Sequence, residues 1–211
     1  MSRRVLFLPG ASGAASFWRP LADRLPDGWD AVLFDWPGLG DVPSDPRIQS
    51  FGDLVELVIE FAGDAPVDLV AQSMGGVIAM RVALDKPKIV RRMVLVATSG
   101  GIDLSRFDLE DWRPDYRREF PNAMPFVTEP ATRDLSRELA GVQAPTLLLW
   151  ASGDRISPPE VGRQLASLLR NSRLVVLDYG DHSFARDHAD RIAPLIVEHL
   201  NGSPAAPRRS K

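Results

Sequence analysis

The chain has 211 residues, 45% hydrophobic and 25% charged, with a formal net charge of −3; that length suits one domain, and that balance lacks the basic stripe of a nucleic-acid binder. The absence of cysteine excludes disulfides, thiolate catalysis and Cys-ligated metals. None of the three histidines, His182, His188 and His199, stands at a metal-ligand spacing, and no run approaches the ~18 apolar residues of a membrane span.

The first apolar run, Val5–Leu8, follows Met1-Ser2-Arg3-Arg4 and precedes Ala14-Ala15-Ser16, an arrangement that imitates a secretory leader and its cleavage site. The run stops at Pro9-Gly10, short of the roughly 7–15 residues that a leader needs. It therefore reads as a buried strand, and the protein as cytoplasmic. A helix over Ser16–Arg24 ends before Pro26, and Ala31–Phe34 is the second strand, running into the turn-rich Asp35-Trp36-Pro37-Gly38-Leu39-Gly40. Leu54, Val55, Leu57, Val58 and Phe61 repeat at helical spacing and predict a helix over Phe51–Ala62. Val67–Ala71 is a strand, Ser73 follows it, and a helix continues to about Leu84; Met93–Ala97 is the next strand. Residues 102–143 break the rhythm with Trp112, Tyr116, Phe120 and Phe126 among charges and prolines. Alternation resumes with the strand Thr146–Trp150, a helix near Pro159–Leu169, the strand Leu174–Leu177 and a helix over Asp187–Leu200. Short apolar runs alternating with helices predict a parallel sheet covered on both faces. In such sheets ligands bind beyond the carboxyl ends of the strands, where all of these loops fall.

The segment Ala71-Gln72-Ser73-Met74-Gly75-Gly76 joins a buried strand directly to a helix. A serine on such a sharp turn projects its hydroxyl above the sheet. The small residues let the two backbones approach, and the helix N-terminus offers free N–H groups where negative charge develops. A serine hydroxyl needs a base, and His182, directly after the last strand, is the candidate. His188 and His199, on the final helix, read as surface or capping residues. The acid that would orient His182 is Asp154, which follows the strand Thr146–Trp150 through Ala151-Ser152-Gly153. Asp103, Asp178 and Asp181 are the competing acids. Asp154 also reads as a turn aspartate before the helix that starts at Pro158-Pro159.

With these residues in place the chain resembles the α/β-hydrolase superfamily over most of its length. The order Ser73, Asp154, His182 is that family's order. Pro9-Gly10-Ala11 resembles its oxyanion loop, Asp35 to Gly40 its D-x-x-G-x-G turn, Ser152-Gly153-Asp154 its acid loop and Gly180-Asp181-His182 its histidine loop. Ala71 stands where glycine is usual, and Pro9 where histidine is usual. The resemblance implies that the chain starts at the family's third strand, lacking the antiparallel hairpin of its first two. The expected fold is then a three-layer α/β/α sandwich on a six-stranded, parallel sheet with the strand Ala31–Phe34 at its edge. The expected organisation is one domain over residues 1–201, a short cap inserted at 102–143 and a flexible tail over 202–211. The resemblance also implies oxyanion donors at the Met74 and Ala11 N–H groups, with Ser12 an alternative to Ala11.

A serine nucleophile argues against the family's haloalkane dehalogenases and epoxide hydrolases, which use aspartate. The expected activity is hydrolysis of a small or medium carboxylic ester, with no cofactor and no metal. A thioesterase or a carbon–carbon bond hydrolase would need the same three residues, and a small-molecule receptor with little turnover is the reading from a different class. The partner is thus a small ester or related acyl compound, not nucleic acid or membrane. Trp18, Trp36, Trp112, Tyr116, Phe120 and Phe126 either line the substrate pocket or pack the cap and rim. Oligomeric state does not follow from the sequence, although an uncovered sheet edge is a candidate contact.

Overall fold

The computed structural model describes residues 3–129 and 133–202. The tail expected over 202–211 lies, from 203 onward, outside the described residues. Six strands form one sheet in the order β2-β1-β3-β4-β5-β6: β1 Arg3–Leu8, β2 Trp29–Leu33, β3 Val67–Gln72, β4 Val90–Val96, β5 Thr146–Ala151 and β6 Ser172–Leu177. Every pairing is parallel, with Leu6 opposite Val32 on one side and Leu69 on the other. The strand order turns back at β1, between β2 and β3, so the loops after these strands meet at one place above the sheet. This is the expected six-stranded sandwich, with β2 at the edge.

Period-two alternation explains why both faces are covered. Leu6, Leu8, Leu69, Ala71, Met93, Leu95, Leu148 and Trp150 turn to one face, against the helices α2 (Phe51–Ala62), α3 (Met74–Asp85) and α5 (Pro159–Leu168). Val5, Phe7, Val70, Val94, Val96, Leu147 and Leu149 turn to the other. There they meet α1 (Arg19–Ala22), α6 (Phe184–Asp187) and α7 (Ala189–Leu200). The helix predicted over Ser16–Arg24 is shorter, a 3-10 turn over Ala15–Trp18 running into α1 at Pro20. The predicted Asp187–Leu200 helix is broken at His188 into α6 and α7. A capping box opens α2: Ser50 Oγ accepts from the Asp53 N–H, and the Asp53 carboxylate accepts from the Ser50 N–H.

The segment 102–143 carries a single α-helix, α4 (Arg113–Glu119), and 3-10 turns among its described residues. It lies over the carboxyl end of the sheet and is tied to it. The Met124 N–H donates to Gly38 O at 2.8 Å, Glu110 N–H to Arg155 O at 3.0 Å and Leu135 N–H to Gly101 O at 2.9 Å. No helix among the described residues is long and apolar enough to cross a membrane.

Candidate active site

The turn after β3 is strained in the way a projecting side chain requires. Ser73 has φ 51° and ψ −120°, a conformation that costs a non-glycine residue of order 1–3 kcal/mol and persists only where its surroundings hold it. They do. The Ser73 N–H donates to Val96 O at 3.0 Å; its carbonyl accepts from the Gly76 N–H at 3.0 Å and from Thr98 Oγ1 at 2.6 Å. Gly75 and Gly76 let α3 run close beside the sheet. A Cβ at Gly75 would stand 2.5 Å from the carbonyl oxygens of Leu8 and Pro9, and one at Gly76 would meet Thr98 at 2.5 Å. Met74, as the first residue of α3, has an N–H without an intrahelical acceptor.

Asp154 and His182 come from the loops after β5 and β6. Glycines bring these loops together: a Cβ at Gly153 would stand 2.6 Å from Gly180 O, and Gly180 itself has φ 86°, a region that favours glycine. The Asp154 side chain is fully buried. Its Oδ1 accepts the N–H groups of Ile156 at 2.9 Å and Ser157 at 2.8 Å, and its Oδ2 lies 2.8 Å from His182 Nδ1. A carboxylate only accepts, so Nδ1 is a protonated ring nitrogen, and in the neutral ring Nε2 is the one that carries the lone pair. The competing acids are exposed. Asp103 accepts from Ser105 and Asp181 from the Ser183 N–H, and neither is bonded to His182.

Among the described residues no hydrogen bond joins Ser73 Oγ to His182. The two loops are linked instead through Gln72, a residue the sequence did not single out. Its buried Nε2 donates to the His182 carbonyl at 3.3 Å. Catalytic hydrogen bonds commonly close only when substrate is bound.

The loop after β1 lies directly over the Ser73 turn, since a Cβ at Gly10 would stand 3.2 Å from Ser73 Cβ. Its carbonyls are occupied in succession. Pro9 O accepts from Trp36 Nε1 at 2.8 Å, Gly10 O from the Gly13 N–H at 3.1 Å and Ala11 O from the Tyr116 hydroxyl at 2.8 Å. The side chains expected either to line a pocket or to pack therefore divide. Trp18 is fully buried on the far face of the sheet against Phe7 and Phe17, and Trp36 is fully buried beneath the loop; both are packing residues, because no surface of either reaches solvent. Tyr116 is 8% exposed, with Trp112 and Phe120 stacked edge-on and tilted against it. Phe126 packs on Phe51 of α2. Trp112, Phe120 and Phe126 stay partly exposed on the segment 102–143. A cleft of about 530 Å³ opens on the other side of the acid loop, between Glu110, Arg155 and Arg163; neither Ser73 nor His182 borders it. Among the described residues no group of three or more histidine and carboxylate side chains is placed to hold a metal ion.

His188 caps the start of α7 and its ring packs on Tyr179 at 4.8 Å. His199 is not at the surface, contrary to expectation. It is 8% exposed, and its Nε2 lies 3.1 Å from Pro145 O.

A family model described as the alpha/beta hydrolase family matches residues 5–195. A pimeloyl-acyl-carrier-protein methyl ester esterase of Neisseria meningitidis is 25% identical, over 95% of this chain and 94% of its own. A 2-hydroxy-6-oxononadienedioate/2-hydroxy-6-oxononatrienedioate hydrolase of Pseudomonas putida is 28% identical, over 91% and 84%. Among solved structures, a meta-cleavage product hydrolase from Pseudomonas fluorescens superposes with a TM-score of 0.79 at 19% identity, covering 94% of this chain and 90% of that one. A thermophilic esterase from Thermogutta terrifontis superposes with a TM-score of 0.76 at 21% identity, covering 95% and 90%. At these identities the two structures speak for the fold.

Proposed function

The chain belongs to the alpha/beta hydrolase family, and from that membership we propose that it is a serine hydrolase cleaving a small or medium carboxylic ester through an acyl-enzyme on Ser73. The observation that carries the reading is the 2.8 Å contact between His182 Nδ1 and the buried Asp154 carboxylate. It stands at the same sheet edge as a serine held at φ 51°.

In this reading Ser73 Oγ attacks the substrate carbonyl and passes its proton to His182 Nε2. The Met74 N–H, at the positive end of α3, and the Ala11 N–H receive the oxyanion. The tetrahedral intermediate collapses, the leaving alkoxide takes the proton from His182, and the acyl group stays on Ser73. His182 then draws a proton from water as its oxygen attacks the acyl-enzyme; the second tetrahedral intermediate expels Ser73 Oγ, which takes that proton back from His182, and the acid is released. Asp154 holds the imidazole in the tautomer that makes each transfer directional.

The test is covalent labelling by a fluorophosphonate probe. The wild-type chain takes the label, and Ser73→Ala, folded by circular dichroism, does not. A folded wild-type chain that stays unlabelled would overturn the proposal. The Pseudomonas putida relative, a dienedioate hydrolase at 28% identity, favours carbon–carbon bond hydrolysis as a second reading with the same three residues. Turnover of a chain-length series of chromogenic esters against a vinylogous diketone acid separates the two.

A further inference from the structure

The three successive carbonyls of the β1 loop each accept a hydrogen bond, and one of the three donors, Tyr116, comes from the segment 102–143. Peptide units are planar and trans, and the described chain has no cis bond. A fixed carbonyl therefore fixes the following N–H in the opposite direction. Trp36 on Pro9 O aims the Gly10 N–H, the Gly13 N–H on Gly10 O aims that of Ala11, and Tyr116 on Ala11 O aims that of Ser12. No hydrogen bond occupies the Ala11 N–H among the described residues. Tyr116 also accepts the Gly40 N–H at 3.1 Å, so one phenol joins α4, the β1 loop and the β2 loop. Those two loops are in close contact, since a Cβ at Gly13 would stand 2.8 Å from Leu39 O.

We propose that Tyr116 is a positioning residue that aligns the oxyanion loop and couples this alignment to the seating of the cap. The inference rests on the reading of the Ala11 N–H as an oxyanion donor. Burial raises the phenol's pKa above its ordinary 10.0, so the donor stays protonated throughout the working range. Its ring is gripped by Trp112 and Phe120 at 5.5 and 5.1 Å. Removing the hydroxyl alone thus leaves the packing in place and frees the Ala11–Ser12 peptide to turn, so that Ala11 and its N–H are held from the Gly10 side alone.

The experiment uses the full chain as wild type and Tyr116→Phe, with p-nitrophenyl butyrate, its thionoester and a fluorophosphonate. A small misalignment of a catalytic group costs on the order of 10- to 100-fold in rate. The expected result is a kcat reduced by about that factor with KM little changed, and labelling slowed in parallel. The ester-to-thionoester rate ratio should fall as well, because a thiolate-like sulfur gains little from the donors that an oxyanion needs. An unchanged kcat, or ester and thionoester rates falling together at a constant ratio, would overturn the proposal. Trp36→Phe, which removes the neighbouring donor to Pro9 O, is the second variant; it too should lower the ratio, and a constant ratio in whichever variant folds decides against the clamp. An unlabelled wild type removes the serine-hydrolase reading itself. A labelled wild type with an unaltered Tyr116→Phe removes only the role of Tyr116.

Discussion

Two buried carboxylates stand at opposite ends of the same sheet, and both side chains are fully removed from solvent. Asp68, at the amino end of β3, takes Arg91 through two hydrogen bonds at 3.0 and 2.7 Å and Arg3 at 3.1 Å. Asp154, beyond the carboxyl end of β5, takes two backbone N–H groups and His182. Guanidinium groups keep their charge at every working pH, so Asp68 is matched permanently and its pairs pin β1, β3 and β4 together. An imidazole gains and loses its proton near neutrality. In the proposed mechanism the same buried charge becomes a tool at one end, while at the other it is a rivet, and the choice of cationic partner makes the difference.

The largest expected effect breaks the upper pair. Asp154→Asn keeps the shape and an acceptor for the Ile156 and Ser157 N–H groups, but presents an amide N–H to His182 Nδ1. The imidazole must then put its proton on Nε2, where it cannot accept from Ser73. Turnover of the best chromogenic ester should fall about 10⁴-fold with the thermal midpoint little changed. A loss under about tenfold would show that another acid orients His182.

The lower pair should respond in the opposite currency. Asp68→Asn leaves two arginines facing a neutral amide and should cost about 2–3 kcal/mol in urea unfolding, at the low end for a broken buried pair because both arginines reach solvent. Turnover at 25 °C should stay within about twofold, since the loops of the site follow the carboxyl ends of the strands and Asp68 lies at the amino end of β3. If Asp68→Asn instead lowered turnover as steeply as Asp154→Asn, the separation of the two ends would be wrong.

The upper end was far more legible in the sequence than the lower. Ser73, Asp154 and His182 each lie within a few residues of the carboxyl end of an apolar run, so alternation puts all three at one edge, and chain order does the rest. The lower cluster offers no such signal. Arg3, Asp68 and Arg91 look like any charges at strand starts, and only the parallel register brings them side by side. The roles of the aromatic residues stayed open in the sequence for a related reason. Trp36 and Tyr116 were visible as large side chains near the right loops, but whether an indole or a phenol faces a cavity or reaches a carbonyl depends on partners 27 and 105 residues away. Gln72 contacts the His182 carbonyl across 110 residues, and its alternation in β3, opposite in parity to Ala71, was the only available hint.

His199 is the instructive miss, because a local signal did exist. Ile192, Ile196 and Leu200 lie buried along α7, and position 199 falls on the same stripe at three- and four-residue spacing. The ring is buried and its pKa is lowered from the ordinary 6.5, first by desolvation and also by Arg92 and Arg173, against the opposing hydrogen bond to Pro145. The folded chain therefore prefers His199 neutral. Above about pH 6.5 the residue is neutral in both states and its contribution to stability is complete. As pH falls below that value the unfolded chain takes up a proton that the folded chain resists, and stability declines until the folded pKa is passed. This is the smallest expected effect, a modest fall in thermal midpoint on acidification through that window. His199→Gln, which keeps a donor for the Pro145 carbonyl but does not titrate, should flatten it. The same variant should leave the pH profile of ester turnover in place, because His199 lies at the opposite end of the sheet from Ser73 and His182. Parallel midpoint curves for the two proteins would exclude His199 as the source, and a turnover profile displaced with the midpoint would mean that the two ends of the sheet are coupled after all.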